Sequence, residues 1–152
     1  MLGPLYHLLA EEEKRRAVAE SARVLRPGGL VFAAFVTTFG VLRYAAVQNP
    51  EWIVRYAEEL FATGVPSDSF DEGSFPGYFV HPQQVAPLME SGGFLSLDLI
   101  ASDGVVSRLE AKVSQTQGEV WQAWVELGYR LRREPALFGA SDHLLYVGRK
   151  PV

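Results

Sequence analysis

The pattern of hydrophobic and polar positions predicts helices that alternate with strands. Residues 11–25 begin with acidic side chains and repeat apolar ones at helical spacing, until Pro27 and the two following glycines end the helix. Residues 30–36, LVFAAFV, form a continuous apolar run, which indicates a parallel strand buried on both faces. A helix followed at once by such a strand is typical of a doubly wound α/β sheet.

The later part of the chain continues this alternation. Residues 50–61 predict a helix, and residues 64–77 predict a long polar loop that serves as a lid or a binding element. Helices are expected over residues 81–93 and 118–133, and strands over residues 94–101 and 142–149. We expect the last strand to be an antiparallel neighbour in an otherwise parallel sheet. The helix over 118–133 has an apolar stripe that we expect to be buried, made of Val120, Trp121, Trp124, Leu127 and Leu131.

Composition narrows the class of protein. A chain of 152 residues with 48% hydrophobic residues suits one folded domain. The net charge of -4 argues against nucleic-acid binding, which usually requires a basic surface. No cysteine is present, and the three histidines have no carboxylate at ligand spacing, so no metal site is predicted. No apolar run is long enough to cross a bilayer, and no secretory segment precedes the first acidic residues. We therefore expect a cytoplasmic domain with no nucleic-acid or membrane partner.

Four segments together carry a family resemblance. Residues 2–8 (LGPLYHL) precede a charged helix that ends in residues 23–29 (RVLRPGG) and is followed by a strand. This arrangement resembles class I S-adenosylmethionine-dependent methyltransferases, and more narrowly the bacterial small-molecule group that carries L-G-P-L-Y-H-L after the fourth strand. Residues 81–94 and 139–150 are similar to the helix before that group's sixth strand and to its final strand. The resemblance implies the C-terminal half of a Rossmann-like methyltransferase fold, in which the seventh strand is antiparallel and lies between the fifth and the sixth.

The resemblance also implies roles for residues in the LGPLYHL segment. In the family this segment lies beside the methionine part of the cofactor and beside the methyl acceptor. Leu2 and Gly3 are therefore expected to contact the cofactor, and Tyr6 and His7 to be catalytic, with His7 as a general base or a substrate-orienting group. The alternative is that Tyr6 and His7 pack under the following helix.

Further candidates lie in and after the polar loop. Phe75, Tyr78 and Phe79 either line an apolar pocket for a small-molecule acceptor or fasten the loop to the core. His81 precedes Pro82 and either contacts substrate or caps the helix that follows. Structural roles are expected for His143, at the start of a strand, and for the tryptophans on apolar helix faces, Trp52, Trp121 and Trp124.

The elements that hold the cofactor in this family are not found in the sequence. The family binds S-adenosylmethionine mainly through a glycine-rich loop after the first strand and acidic residues after the second and third. All of these precede the position that matches Leu2, and no G-x-G motif follows a strand here. We expect that this chain alone binds no cofactor tightly and is inactive. It is then a methyltransferase fragment with a misassigned gene start or a lost upstream half, a non-catalytic remnant that docks or dimerises, or one half of a split enzyme.

A homodimer is expected for a separate reason. The strand over residues 30–36 lacks lysine, proline or an inward charge, which are the usual protections of an edge strand. Apolar surface that the absent half would cover also favours self-association.

Overall fold

A computed structural model describes residues 1–67 and 76–152 and shows an α/β fold. The helices are α1 (Glu11–Val24), α2 (Thr38–Gln48), α3 (Trp52–Thr63), α4 (Pro82–Ser91), α5 (Glu110–Val113) and α6 (Gly118–Leu131). The strands are β1 (Leu30–Val36), β2 (Leu95–Ala101) and β3 (His143–Arg149), and short 3-10 turns cover Pro4–His7, Gly104–Val106 and Pro135–Leu137.

Most predicted elements are confirmed, but helix α2 was not predicted from the sequence. It begins directly after β1, where Thr37 and Gly40 suggest only the end of a strand. In the structure the Thr37 hydroxyl accepts a hydrogen bond from the Gly40 N–H at 2.8 Å and so caps the new helix. The helix then packs against α3 through a small core of Val41, Ala45, Trp52 and Leu60, which confirms Trp52 as a core residue.

The sheet has the strand order β1-β3-β2, and β3 runs antiparallel to both neighbours. The expected antiparallel insertion of the last strand is therefore present. The expectation of a mostly parallel sheet is wrong for the described strands, since β3 separates β1 from β2 and both ladders are antiparallel. The one parallel pairing among the described residues is the isolated bridge between Thr37 and Val80.

The two faces of the sheet are covered unequally. Helices α1 and α4 pack on one face, where Val18 and Met89 join Phe35 and Tyr146 in the main core. On the opposite face, Leu30 and Phe32 are each 45% exposed. The prediction that β1 is buried on both faces is therefore wrong. The apolar run contains the residues for two buried faces, but Leu30 and Phe32 remain exposed on the face opposite α1 and α4.

Helix α6 has none of the burial expected for its apolar stripe. Trp121 is 39% exposed and Trp124 is 37% exposed, and the helix contains no buried residue. The predicted core role of these two tryptophans is therefore wrong. Helical periodicity identifies an apolar face, whereas burial also needs a partner surface.

The outer edge of β1 is partly occupied by the first residues of the chain. The Ala34 N–H donates to the Met1 carbonyl at 3.1 Å, and the Met1 amino group donates to the Phe32 carbonyl at 2.6 Å. No helix in the described ranges is long and apolar enough to cross a membrane.

Candidate functional site

A cavity of about 340 Å³ lies at the end of the sheet where β1 finishes and β3 begins, which we call the sheet edge. The side chains of its wall that carry polar or aromatic groups come from separate parts of the chain: Tyr6, Tyr44, Phe79, Arg108, Asp142 and His143. Because β3 is antiparallel to its neighbours, its first residues lie beside the last residues of β1 and β2. The sheet therefore brings three chain segments to one place.

Backbone contacts hold this edge together. The buried Thr37, just after β1, donates its N–H to the Asp142 carbonyl at 2.9 Å and its hydroxyl to the Ser141 carbonyl at 2.8 Å. Beyond β2, the Ser102 N–H donates to the His143 carbonyl at 3.0 Å. Asp142 and His143 are thus fixed relative to both neighbouring strands.

Asp142 forms the charged part of the wall. Its carboxylate is buried and binds two guanidinium groups, with Arg43 Nη2 2.7 Å from Oδ1 and Arg108 Nε 2.5 Å from Oδ2. Arg43 also donates to the Gly139 carbonyl at 2.9 Å, and Arg108 to the Gly40 carbonyl at 3.1 Å. The Arg108 guanidinium lies 5.2 Å from the ring centroid of Tyr44, within the range of a cation–π contact.

Two backbone positions make this arrangement possible. At Gly40 a Cβ atom would lie only 2.8 Å from the Asp142 Cα, so only glycine lets α2 approach the start of β3 this closely. Arg108 has a φ of 67°, and it is the one non-glycine residue with positive φ in the described ranges. Its N–H donates to Glu110 Oε1 at 2.9 Å, which supports the unusual conformation.

Asp103 and His143 form a second pair at the same edge. His143 Nδ1 lies 3.0 Å from Asp103 Oδ2, and the His143 backbone N–H donates to the same oxygen at 2.7 Å. The hydrogen bond to Asp103 raises the pKa of His143, and this effect exceeds the opposing desolvation. Burial raises the pKa of Asp103, but the hydrogen bonds from His143 and Ser141 outweigh it and leave that pKa below its usual value. The imidazole is therefore oriented by a carboxylate, and His143 is one of the residues that line the cavity.

The residues predicted in the LGPLYHL segment are only partly brought to this cavity. Tyr6 lines it, and its carbonyl accepts the Tyr78 N–H at 2.9 Å. His7 is exposed, with its ring centroid 4.7 Å from that of Tyr6, and the cavity wall as described does not include it. Leu2 is 71% exposed, and Gly3 has a φ of 134° just before the 3-10 turn.

The predicted acceptor-pocket residues are divided between two cavities. Phe79 lines the cavity at the sheet edge and also a larger one of about 730 Å³ between α1, α3 and α4, to which Tyr78 and His81 belong. Tyr78 is buried with the Lys14 Nζ 3.5 Å from its ring centroid, and burial raises the pKa of Tyr78 to about 12. His81 caps α4 by accepting the Gln83 N–H at 3.3 Å. Phe75 lies outside the described residues.

Sequence reasoning did not propose Tyr44, Arg43, Arg108, Asp142 or Asp103 as site residues, and it expected only a structural role for His143. Asp103 precedes a glycine and resembles an ordinary turn residue, and His143 resembles an ordinary strand residue. The signal available in the sequence was the predicted strand order. Residues that follow two strands of the same direction lie at the same end of the sheet as residues that precede an antiparallel strand between them. Arg108 carries no such signal, because it lies within the irregular segment after β2.

The wall of this cavity contains no glycine-rich cradle of the kind that the sequence resemblance implies for S-adenosylmethionine. The glycines of the cavity wall, Gly40 and Gly77, are packed against protein: a Cβ at Gly77 would lie 3.1 Å from the Phe79 ring. Neither forms a glycine-rich turn between a strand and a helix that a cofactor could approach. No cluster of three or more metal-ligating side chains occurs within residues 1–67 and 76–152 either.

Comparisons with known proteins identify the fold. No protein-family model matches the sequence, and no curated protein matches it. Among solved structures, the chain is similar to a SAM-dependent methyltransferase from Methanosarcina mazei, with a TM-score of 0.59 and 12% identity, over 100% of this chain and 57% of the other. It also matches the CcbJ methyltransferase from Streptomyces caelestis, with a TM-score of 0.49 and 13% identity, over 97% of this chain and 54% of the other. The chain thus has an α/β fold similar to part of a SAM-dependent methyltransferase and spans little more than half the length of these structures.

Proposed function

We propose that this chain forms the acceptor-binding side of a SAM-dependent methyltransferase that acts on a small molecule. The observation that carries the proposal is the Asp103–His143 pair beside an aromatic cavity at the edge of the sheet. In open α/β sheets, ligands bind outside the carboxyl ends of the strands that run in the same direction. Here β1 and β2 run in the same direction on either side of β3, and the cavity lies at the carboxyl end of β1. The fold similarity to the Methanosarcina protein suggests the class of reaction.

His143 acts as the general base in this proposal. Its Nδ1 is hydrogen-bonded to Asp103, which orients the ring and leaves Nε2 as the nitrogen that accepts a proton. The proton comes from the hydroxyl or amine of the acceptor, whose oxygen or nitrogen then becomes the methylated atom. Asp103 stabilises the resulting imidazolium ion. Tyr6 and Phe79 hold the apolar part of the acceptor.

Methyl transfer by the full gene product tests this role. The protein is expressed from its whole reading frame, with any codons that precede Met1, and supplied with tritiated S-adenosylmethionine and a small-molecule extract of its own organism. His143→Gln should lower the rate of transfer about 100-fold or more, the usual contribution of a general base. Asp103→Asn should lower it less. The matched control is Asp98→Asn, because Asp98 pairs with Arg133 outside the cavity wall. Full activity of His143→Gln, or label found only in macromolecules, would refute the proposal.

We also propose that residues 1–152 alone bind S-adenosylmethionine weakly, because the described residues form no glycine-rich cradle. Micromolar binding corresponds to about -8 kcal/mol and millimolar binding to about -4 kcal/mol. Loss of most cradle contacts should leave a Kd of about 1 mM or weaker. Calorimetry on the purified chain measures this Kd directly, and a value in the low micromolar range would mean that the cofactor is held by residues assigned here to other roles.

A second candidate function is self-association. The observation that favours it is the exposed apolar face of the sheet, where Leu30 and Phe32 are each 45% exposed and Leu95 is 55% exposed. A two-fold homodimer would cover this face. Light scattering over a dilution series measures the mass; Phe32→Lys should shift the protein to monomer, whereas Val54→Lys on α3, at a position 85% exposed, should not. A wild-type protein that stays monomeric at about 100 μM, which is roughly 100 times a micromolar Kd, would exclude this candidate.

A further inference from the structure

We propose that the small molecule bound in the sheet-edge cavity carries an aromatic ring and a carboxylate group, and that Arg108 binds the carboxylate. This inference rests on the proposed function, because it names the substrate class of the same site. It is carried by the charges around Asp142, by the contacts of Arg108 and by the aromatic wall of the cavity.

Asp142 cannot balance the charges of both guanidinium groups that it binds. One carboxylate lies between two guanidinium groups, Arg43 at 2.7 Å and Arg108 at 2.5 Å, so the three groups together keep one positive charge. Asp103 pairs with His143, and Glu110 keeps its negative charge but accepts the backbone N–H of Arg108 and forms no ion pair with its guanidinium among the described residues. The Arg108 guanidinium therefore shares its one paired carboxylate with Arg43, and an anionic ligand group would give it a second anionic partner.

The Arg108 guanidinium is oriented by its contacts with the protein. Its Nε contacts Asp142 and its Nη2 donates to the Gly40 carbonyl at 3.1 Å, so two sides of the guanidinium are held by protein. Its Nη1 has no hydrogen-bond partner in the part of the chain that the structure describes. The Arg108 side chain is 39% exposed and the residue lines the cavity, so a ligand there would meet the guanidinium at Nη1. A guanidinium presents paired N–H donors that match the two oxygens of a carboxylate.

The backbone of Arg108 has an unusual conformation. Its φ of 67° places a non-glycine residue in the left-handed region, where L-residues are uncommon. Such conformations persist where the surrounding contacts enforce them, and they occur often at binding sites. In this conformation the Arg108 side chain contacts Asp142, the residue just before β3.

The rest of the cavity wall is largely aromatic and aliphatic. Tyr6, Tyr44 and Phe79 supply aromatic surfaces, and Val36 and Val41 supply aliphatic ones. The volume of about 340 Å³ is near the lower end of the range for small-molecule sites. A single aromatic ring fits this size and can stack on the tyrosines and the phenylalanine. The ligand is therefore a compact aromatic acid, with its acceptor group toward His143 and its carboxylate toward Arg108.

Binding of benzoate and of its neutral isostere benzamide tests the inference without any methyl transfer. Both probes are titrated into ¹⁵N-labelled protein at pH 7, and shifts of the Arg108 Nε–H and of cavity backbone amides give each Kd. Benzoate should bind more tightly than benzamide. Arg108→Gln should weaken benzoate binding about tenfold or more, the usual range for a hydrogen bond to a charged group, and leave benzamide unchanged. Arg108→Lys, which keeps the charge without the paired donors, should give an intermediate Kd.

Controls separate binding from folding. Arg133→Gln removes a guanidinium that pairs with Asp98 at 2.5 Å outside the cavity wall, and it should bind benzoate like the wild type. Thermal unfolding of each variant identifies any that fail to fold, in which case Arg108→Lys decides the question. Equal binding of benzoate and benzamide, no benzoate binding, or equal weakening of both probes by Arg108→Gln would overturn the inference. Methyl transfer to a neutral acceptor would overturn the inference and leave the proposed function intact. Benzoate binding without any methyl transfer would overturn the proposed function and leave the inference intact.

Discussion

The unequal burial of strand β1 leads to a quantitative prediction about two phenylalanines of the same strand. Phe35 is 1% exposed and lies in the main core, whereas Phe32 is 45% exposed on the opposite face. Replacing a fully buried phenylalanine by alanine removes its transfer free energy and leaves a cavity, at a total cost of about 3–5 kcal/mol. Phe35→Ala should therefore destabilise the protein by about 4 kcal/mol.

Phe32→Ala should cost much less. Complete burial of a phenylalanine side chain contributes about 1.5–3 kcal/mol, and Phe32 has a little more than half of its surface buried. Its partly open site also leaves no closed cavity, so the expected cost is about 1–1.5 kcal/mol. The same substitution in the same strand should thus differ by roughly 2–3 kcal/mol between the two positions.

Urea denaturation followed by circular dichroism measures both values. With an m-value of about 2 kcal/mol per molar, the two midpoints should lie more than about 1 M apart. The measurement is made at low micromolar protein concentration, because a homodimer that covers Phe32 would add an association term. Equal losses for the two variants, or a larger loss for Phe32→Ala, would show that the opposite face of the sheet is covered and would refute this description of the fold.

Three further predictions concern the sheet edge. Asp142→Asn should destabilise the fold by about 2 kcal/mol, because two guanidinium groups lose their shared partner, and thermal unfolding measures the loss. Gly40→Ala should cost about 1–3 kcal/mol through the clash with the Asp142 backbone, whereas Gly128→Ala, at a position with nothing within 4 Å, should not destabilise the protein. The pKa of His143, measured by NMR, should lie above 6.5 and fall toward that value in Asp103→Asn. Because the pKa of His143 is raised in the folded state, the stability that the Asp103–His143 pair contributes is complete below pH 6.5 and is lost as pH rises through the folded-state pKa. An equal contribution to the free energy of unfolding below and above that range would contradict the assignment.

The sequence alone was sufficient to place most helices and strands. Helix α1 is bounded by an acidic first turn and by Pro27 with its following glycines, and β1 by those glycines and the threonines after it. These signals act within a few residues and depend little on the rest of the molecule. Helix α2 and the short α5 were not predicted, and the start of α2 depends on a side-chain cap from Thr37 that has no strong sequence signature there.

Burial and the composition of the candidate site were decided by the tertiary structure. The apolar faces of β1 and α6 are visible in the sequence, but whether a partner covers each face depends on how the elements pack. Tyr6 and Phe79 could be proposed from their neighbourhood in the chain, whereas Arg108 and Asp142 become neighbours only because β3 enters the sheet antiparallel between β1 and β2. A charge cluster assembled from distant segments has no periodicity or spacing of its own. Local sequence therefore determined the elements, and long-range packing determined which side chains meet at the sheet edge.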